Sequence, residues 1–113
     1  MFSLTRRVFG IGLLAASAAL SFGASAQELK QLNIGYQKTG LPVIARQQQV
    51  IEKALAGKGV TVKWVEFTAG PPLVEALNVG AIDVGWTGDA PPIFGQSAGA
   101  NIVYAAALPS NGD

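Results

Sequence analysis

From residue 30 onward the chain alternates short apolar runs with longer stretches whose apolar residues recur at helical spacing. Leu32-Asn33-Ile34-Gly35-Tyr36 has the length and content of a strand, and Gln37-Lys38-Thr39-Gly40 after it reads as a loop. Over residues 42–56 the apolar positions Val43, Ile44, Val50, Ile51, Ala54 and Leu55 predict a helix. Pro42 suits its first turn, where the missing N–H is not needed, and Gly57 suits its end. Residues 60–67 are β-branched and aromatic and predict a second strand. The succession then returns. Thr68-Ala69-Gly70 is a loop, Pro71-Pro72 opens a helix through Val79 with Leu73, Val74 and Leu77 as its stripe, and Gly80 caps it. Residues 81–86 follow as a third strand, Thr87-Gly88-Asp89-Ala90 as a loop, and Pro91-Pro92 opens a helix that reaches Ala98 before Gly99. Residues 102–107 read as a fourth strand. Strands alternating with helices predict an α/β fold with a parallel-type sheet and flanking helices.

That alternation has a chemical consequence. In a parallel sheet each strand hands over to a helix at the carboxyl edge, and ligands bind in the crevice there. Helix starts near Pro42, Pro71 and Pro91 would all face this edge. Each start exposes unpaired N–H groups and the positive end of the helix dipole, which favours an anion. The loops feeding them are built of small residues, Gly40, Ala69-Gly70 and Thr87-Gly88, so a ligand can approach the backbone closely. Lys38 adds the one formal positive charge in these loops. A compact anionic head such as a sulfonate fits this description, with Gln37 as a donor and Tyr36 or Trp86 beside a tail. Turn and helix-start chemistry alone would also place glycine and proline at these positions.

Composition narrows the chemistry. The 113 residues contain no Cys and no His, which removes thiol nucleophiles, thiolate metal sites, disulfides and the commonest general base. No cofactor and no metal site is expected. Asp83 and Asp89 have no matched acid–base environment, and Gly57-Lys58-Gly59 follows a helix and lacks the phosphate-loop pattern. Trp64 reads as packing on the sheet. The net charge is +1, with no pull toward nucleic acid.

The N-terminus alters that charge. Arg6 and Arg7 precede twenty uncharged residues, Val8 to Gln27, and this stretch contains Ala24-Ser25-Ala26. A basic start, an apolar middle and a small-residue end form an export signal over residues 1–26. Thr5-Arg6-Arg7-Val8-Phe9 leaves the Sec and twin-arginine routes both open. An uncleaved membrane anchor is the weaker alternative. Cleavage after Ala26 leaves six basic and seven acidic side chains, a net charge of −1. An anion site in such a segment must rest on dipoles and hydrogen bonds rather than on a basic surface.

Three strings carry a resemblance: Ile34-Gly35-Tyr36-Gln37-Lys38; Phe67-Thr68-Ala69-Gly70-Pro71-Pro72-Leu73-Val74-Glu75-Ala76-Leu77-Asn78-Val79-Gly80; and Ile82-Asp83-Val84-Gly85-Trp86-Thr87-Gly88-Asp89-Ala90-Pro91-Pro92-Ile93-Phe94. Together they resemble the aliphatic sulfonate-binding proteins, the periplasmic substrate-binding components of ABC importers. The resemblance implies a type II periplasmic binding protein fold, two α/β lobes joined by a hinge. It places Gln37 and the loops Ala69-Gly70-Pro71 and Thr87-Gly88-Asp89 toward the ligand cleft. The implied partners are a small-molecule sulfonate and a membrane permease, with no nucleic acid, and the protein is expected as a monomer. Family members are much longer than this chain, so residues 27–113 are expected to form most of the first lobe only, with weak or no affinity when alone. Rival readings are a binder of taurine, nitrate or a related ligand, an exported α/β enzyme using the same cleft, and a sensor that reuses the lobe.

Overall fold

The computed structural model describes residues 27–109. The export signal expected over residues 1–26 lies outside the described residues. Strand β1 (Gln31–Tyr36) is central in a parallel sheet of order β2-β1-β3, with β2 at Thr61–Glu66 and β3 at Val84–Gly85. β1 and β2 run in register along their whole length, from Gln31 opposite Thr61 to Tyr36 opposite Glu66. β3 pairs with β1 over Ile34–Val84 and Gly35–Gly85 only. The Asp83 and Trp86 N–H groups extend this short ladder, donating to the Asn33 and Gly35 carbonyls at 2.9 and 3.0 Å. The Asp83 carboxylate closes the ladder's amino end by accepting from the Asn33 N–H at 2.7 Å and from Asn33 Nδ2 at 3.0 Å. Asp83 therefore clamps two strands and stands at the opposite end of β3 from Asp89, which removes it from any carboxylate pair.

Helices cover both faces, as a doubly wound sheet requires. On one face lie α1 (Leu41–Gln48) and α2 (Val50–Leu55). Here Tyr36, 4% exposed, meets Trp64 edge-on at 5.7 Å, and the Arg46 guanidinium lies 5.2 Å from the Tyr36 ring centre. The Trp64 indole N–H donates to Glu52 at 2.6 Å, which ties α2 to β2 and makes Trp64 the packing residue its strand position implies. On the other face α3 (Gly70–Asn78) crosses β1 on its way from β2 to β3. Its Leu73 is fully buried against Gly35 and Gly85, opposite each other across the β1–β3 ladder. Helix α4 (Ala90–Ser97) packs on α3, with Gly95 allowing Val74 to approach.

Three expectations change. The helix expected over residues 42–56 is two helices, broken at Gln49 in the left-handed region (φ 54°, ψ 37°). The reason is visible in the apolar pattern: Val43 and Ile44 call for apolar residues at 47 and 48, where glutamines stand instead. The chain thus ends one short helix and starts another that presents Glu52 to Trp64. A 3₁₀ turn, Ala56–Lys58, follows, and Gly59 (φ 67°) rather than Gly57 supplies the left-handed exit. Residues 102–107 form no strand among the described residues, and Val103 is 90% exposed. Strand composition needs a neighbouring strand before it becomes a strand.

Gln49 carries a testable cost. A left-handed non-glycine residue is disfavoured by about 1–2 kcal/mol, of which glycine's larger unfolded-state entropy takes back part. Gln49→Gly is expected to stabilise the chain by about 0.5 kcal/mol, read as a rise in the urea midpoint at unchanged slope. A fall in the midpoint would show that the α1–α2 break is not strained.

Candidate functional site

The strand order fixes where a site can form. The chain leaves β1 for β2 on one side and reaches β3 on the other, so connections diverge between β1 and β3, and a crevice opens outside their carboxyl ends. Gln37 follows β1 directly and Thr87 follows β3 by one residue. Their side chains meet across the divide: Thr87 Oγ1 donates to Gln37 Oε1 at 3.2 Å. Both residues are half-buried.

Helix α3 closes the third side. Gly70, its first residue, is buried against Thr87 and against Pro91 of α4. A Cβ on Gly70 would lie 2.7 Å from Thr87 Oγ1 and 2.3 Å from Pro91 Cγ. At Gly70 the close approach is of its backbone to the Thr87 and Pro91 side chains, which packs two helix starts side by side. The starts of α1, α3 and α4, at Gly40, Ala69 and Asp89, all lack a side-chain cap hydrogen bond. Asp89 precedes α4 with helical dihedrals (φ −71°, ψ −36°), which point its side chain away from a capping role. Pro42, Pro71, Pro72, Pro91 and Pro92 carry no N–H, so the first-turn donors left for water or for a ligand are the N–H groups of Leu41, Gly70 and Ala90.

The expected site residues separate into those brought together and those left at the rim. Gln37, Gly70 and Thr87 converge, joined by Pro91, which sequence reasoning treated only as a helix opener. Ala69, Pro71, Gly88 and Asp89 are exposed around them. Lys38 carries a partner of its own: its ammonium, on a side chain 77% exposed, lies 3.2 Å from Glu66 Oε1. Glu66 ends β2 opposite Tyr36, whose hydroxyl donates to Glu66 Oε2 at 3.3 Å while accepting from Arg46. The one cation of the loops is therefore neutralised locally, and Tyr36 is buried in this network rather than set beside a ligand tail. Trp86, 40% exposed at the end of β3, keeps a free face.

A second concavity of about 430 Å³ runs between α3 and α4, with Pro71, Val74, Pro91 and Phe94 in its walls. Its signal in the sequence was the pairing of small Gly95, Ala98 and Gly99 with apolar Val74 and Phe94. Among the described residues no cluster of three or more Asp, Glu, His or Cys could hold a metal ion. No helix of the described residues is long and apolar enough to cross a membrane.

No protein-family model matches the chain. It is 42% identical over 106 residues to an aliphatic sulfonates-binding protein of Escherichia coli (strain K12), an alignment covering 92% of this chain and 33% of the relative. A protein of the same description from Bacillus subtilis (strain 168) is 39% identical over 90 residues, covering 79% of this chain and 27% of the relative. Among solved structures, the periplasmic aliphatic sulphonate binding protein SsuA from Escherichia coli superposes with a TM-score of 0.58 at 53% identity, over 63% of this chain and 23% of that one. The alkanesulfonate-binding protein SsuA from Xanthomonas axonopodis pv. citri, bound to MOPS, superposes with a TM-score of 0.60 at 51% identity, over 67% and 26%. The chain thus spans about a third of the length of the curated relatives it matches.

Proposed function

We propose that this chain, similar to the aliphatic sulfonate-binding proteins over the third of their length that it spans, receives the sulfonate head of a small alkanesulfonate at its carboxyl-edge site. The whole protein would be a periplasmic solute-binding component, exported by residues 1–26, that delivers its ligand to the permease of an ABC importer. The observation that carries this reading is the meeting of Gln37 with Thr87 across the strand divide, beside the packed and uncapped starts of α3 and α4.

The physics of the ring suits a monoanion. Each helix start contributes about 0.3–1 kcal/mol toward a bound anion, and each hydrogen bond to a charged group about 1.5–3 kcal/mol. With Lys38 paired to Glu66, no full positive charge is added, so a sulfonate is held by partial charges that a dianion would not find sufficient. The relatives are binding proteins rather than enzymes. The proposed role here is likewise to hold a ligand without transforming it. The described residues form one wall of the cleft, and the rest of a family-length chain would supply the other by closing over the ligand.

Calorimetric titration tests both parts. The samples are the 113-residue chain and a chimera continuing it with the remainder of the Escherichia coli relative, against alkanesulfonates, taurine, nitrate and sulfate. The chimera is expected to prefer alkanesulfonates. The chain alone is expected to bind at least about 100-fold more weakly, the loss of two hydrogen bonds to a charged group. Preference for nitrate or sulfate over every sulfonate would defeat the assignment, and submicromolar binding by the chain alone would defeat the one-wall account. Turnover of a sulfonate would favour an enzyme.

A further inference from the structure

We infer that Thr87 is a positioning residue: its hydroxyl turns the Gln37 amide so that the Nε2 donor end, not the carbonyl, faces the cleft. The inference rests on the anion reading and names what sets the polarity of that site.

A glutamine amide is ambivalent, with an acceptor oxygen at one corner and two N–H donors at the other. In an anion site only one orientation helps, because sulfonate oxygens accept and do not donate. Left free, the amide samples both. Here Thr87 Oγ1 donates to Gln37 Oε1 at 3.2 Å, which occupies the acceptor end and leaves both Nε2 protons for a ligand.

Thr87 is held firmly enough to do this. The Trp86 N–H bonds the Gly35 carbonyl at 3.0 Å, so residue 87 starts one step past a fixed ladder position. The start of α3 stands behind the hydroxyl, close enough that even a Cβ on Gly70 would come within 2.7 Å of it. A β-branched side chain also has few χ1 states to sample. Gln37 is anchored by its neighbour Tyr36, buried between Arg46, Glu66 and Trp64.

The alternative is that Thr87 contacts the anion itself. A hydroxyl carries one proton. With that proton on Gln37 Oε1, the Thr87 oxygen has only lone pairs left, which repel a sulfonate. Thr87 therefore acts through Gln37.

Heteronuclear NMR of the isotope-labelled chain, free, and of the chimera titrated with methanesulfonate, separates the possibilities. In the free chain the Gln37 Nε2 group is expected to be ordered, with a positive heteronuclear NOE and proton shifts displaced from those of a solvent-exposed glutamine. Thr87→Val keeps the shape and removes the hydroxyl; it is expected to average the Gln37 amide and to raise the methanesulfonate dissociation constant about tenfold. Thr87→Ser is expected to restore both within about twofold. Backbone resonances of Gly70 and Ala90 should stay in place in all variants, which a merely structural role for Thr87 would not allow. An ordered Gln37 amide with unchanged titration in Thr87→Val overturns the inference, as does failure of Thr87→Ser to rescue. If methanesulfonate shifts no resonance of the unsubstituted chimera, the functional reading fails. The free-state order of the Gln37 amide in Thr87→Val then still decides the role of Thr87.

Discussion

Leu73→Ala is expected to lower the unfolding free energy by about 3–5 kcal/mol, the upper range for a buried leucine. Leu73 is fully buried, and the surface beneath it cannot collapse into the space it leaves. That surface is backbone: Gly35 and Gly85, opposite each other in the β1–β3 ladder. A sheet floor held by hydrogen bonds does not rise to fill a void, so the transfer loss and the cavity cost both remain. The same geometry makes a second, more discriminating prediction. A Cβ on Gly85 would lie 2.5 Å from Leu73 Cδ2, so Gly85→Ala alone is expected to destabilise by about 1–3 kcal/mol through overpacking. In the Leu73→Ala background that methyl enters the vacated space. The double variant should then be more stable than the sum of the singles by about 1–2 kcal/mol. Gly35→Ala should give no such rescue, because Ile82 Cδ1, 2.4 Å from its Cβ position, also blocks it. Urea unfolding of the three single and two double variants reads the coupling. Additive losses from Leu73→Ala and Gly85→Ala would mean that Leu73 does not rest on this floor.

Proline and glycine made most of this architecture legible. Pro42, Pro71 and Pro91 stand in the first turns of α1, α3 and α4, and Gly80 and Gly99 leave their helices with φ of 74° and 85°. Such positions are local: the residue's own backbone preference decides, whatever the rest of the chain does. What was not legible depends on partners. Residues 102–104 are as β-branched and aromatic as β2, yet alanines follow them and only β2 has a neighbour to bond along its full length. The helix break at Gln49 was available in the glutamine run, but only to a reading that weighed missing apolar positions as heavily as present ones. At the site, Gln37 and Thr87 were placed at one edge by topology alone, and the structure brings them into contact. The pairing of Lys38 was not legible because its partner depends on register. Glu66 lies opposite Tyr36, a fact set by the β1–β2 offset and not by any spacing within one strand.

Gly70→Ala tests whether fold and site are one object. The position has no special backbone angle to lose, so the substitution acts through contact alone. Its methyl would meet Pro91 Cγ at 2.3 Å, Pro91 Cβ at 2.8 Å and Thr87 Oγ1 at 2.7 Å. A proline ring in the first turn of a helix cannot swing aside, so α4 must back away from α3 as a body. The expected cost is about 1–3 kcal/mol of stability, the range for an overpacked methyl. The site should suffer more than the fold. Displacing Thr87 breaks its bond to Gln37, and separating the two helix starts removes their joint field from the anion, so sulfonate affinity should fall at least about 100-fold in the chimera. Pro91→Ala in the same molecule removes the worst contact, the one to Cγ, and is expected to return part of the stability. Affinity should recover only as far as the Thr87–Gln37 bond re-forms, which the Gln37 amide resonances report independently. Full affinity in Gly70→Ala, despite lost stability, would place the ligand away from this convergence and leave Gly70 a packing residue only.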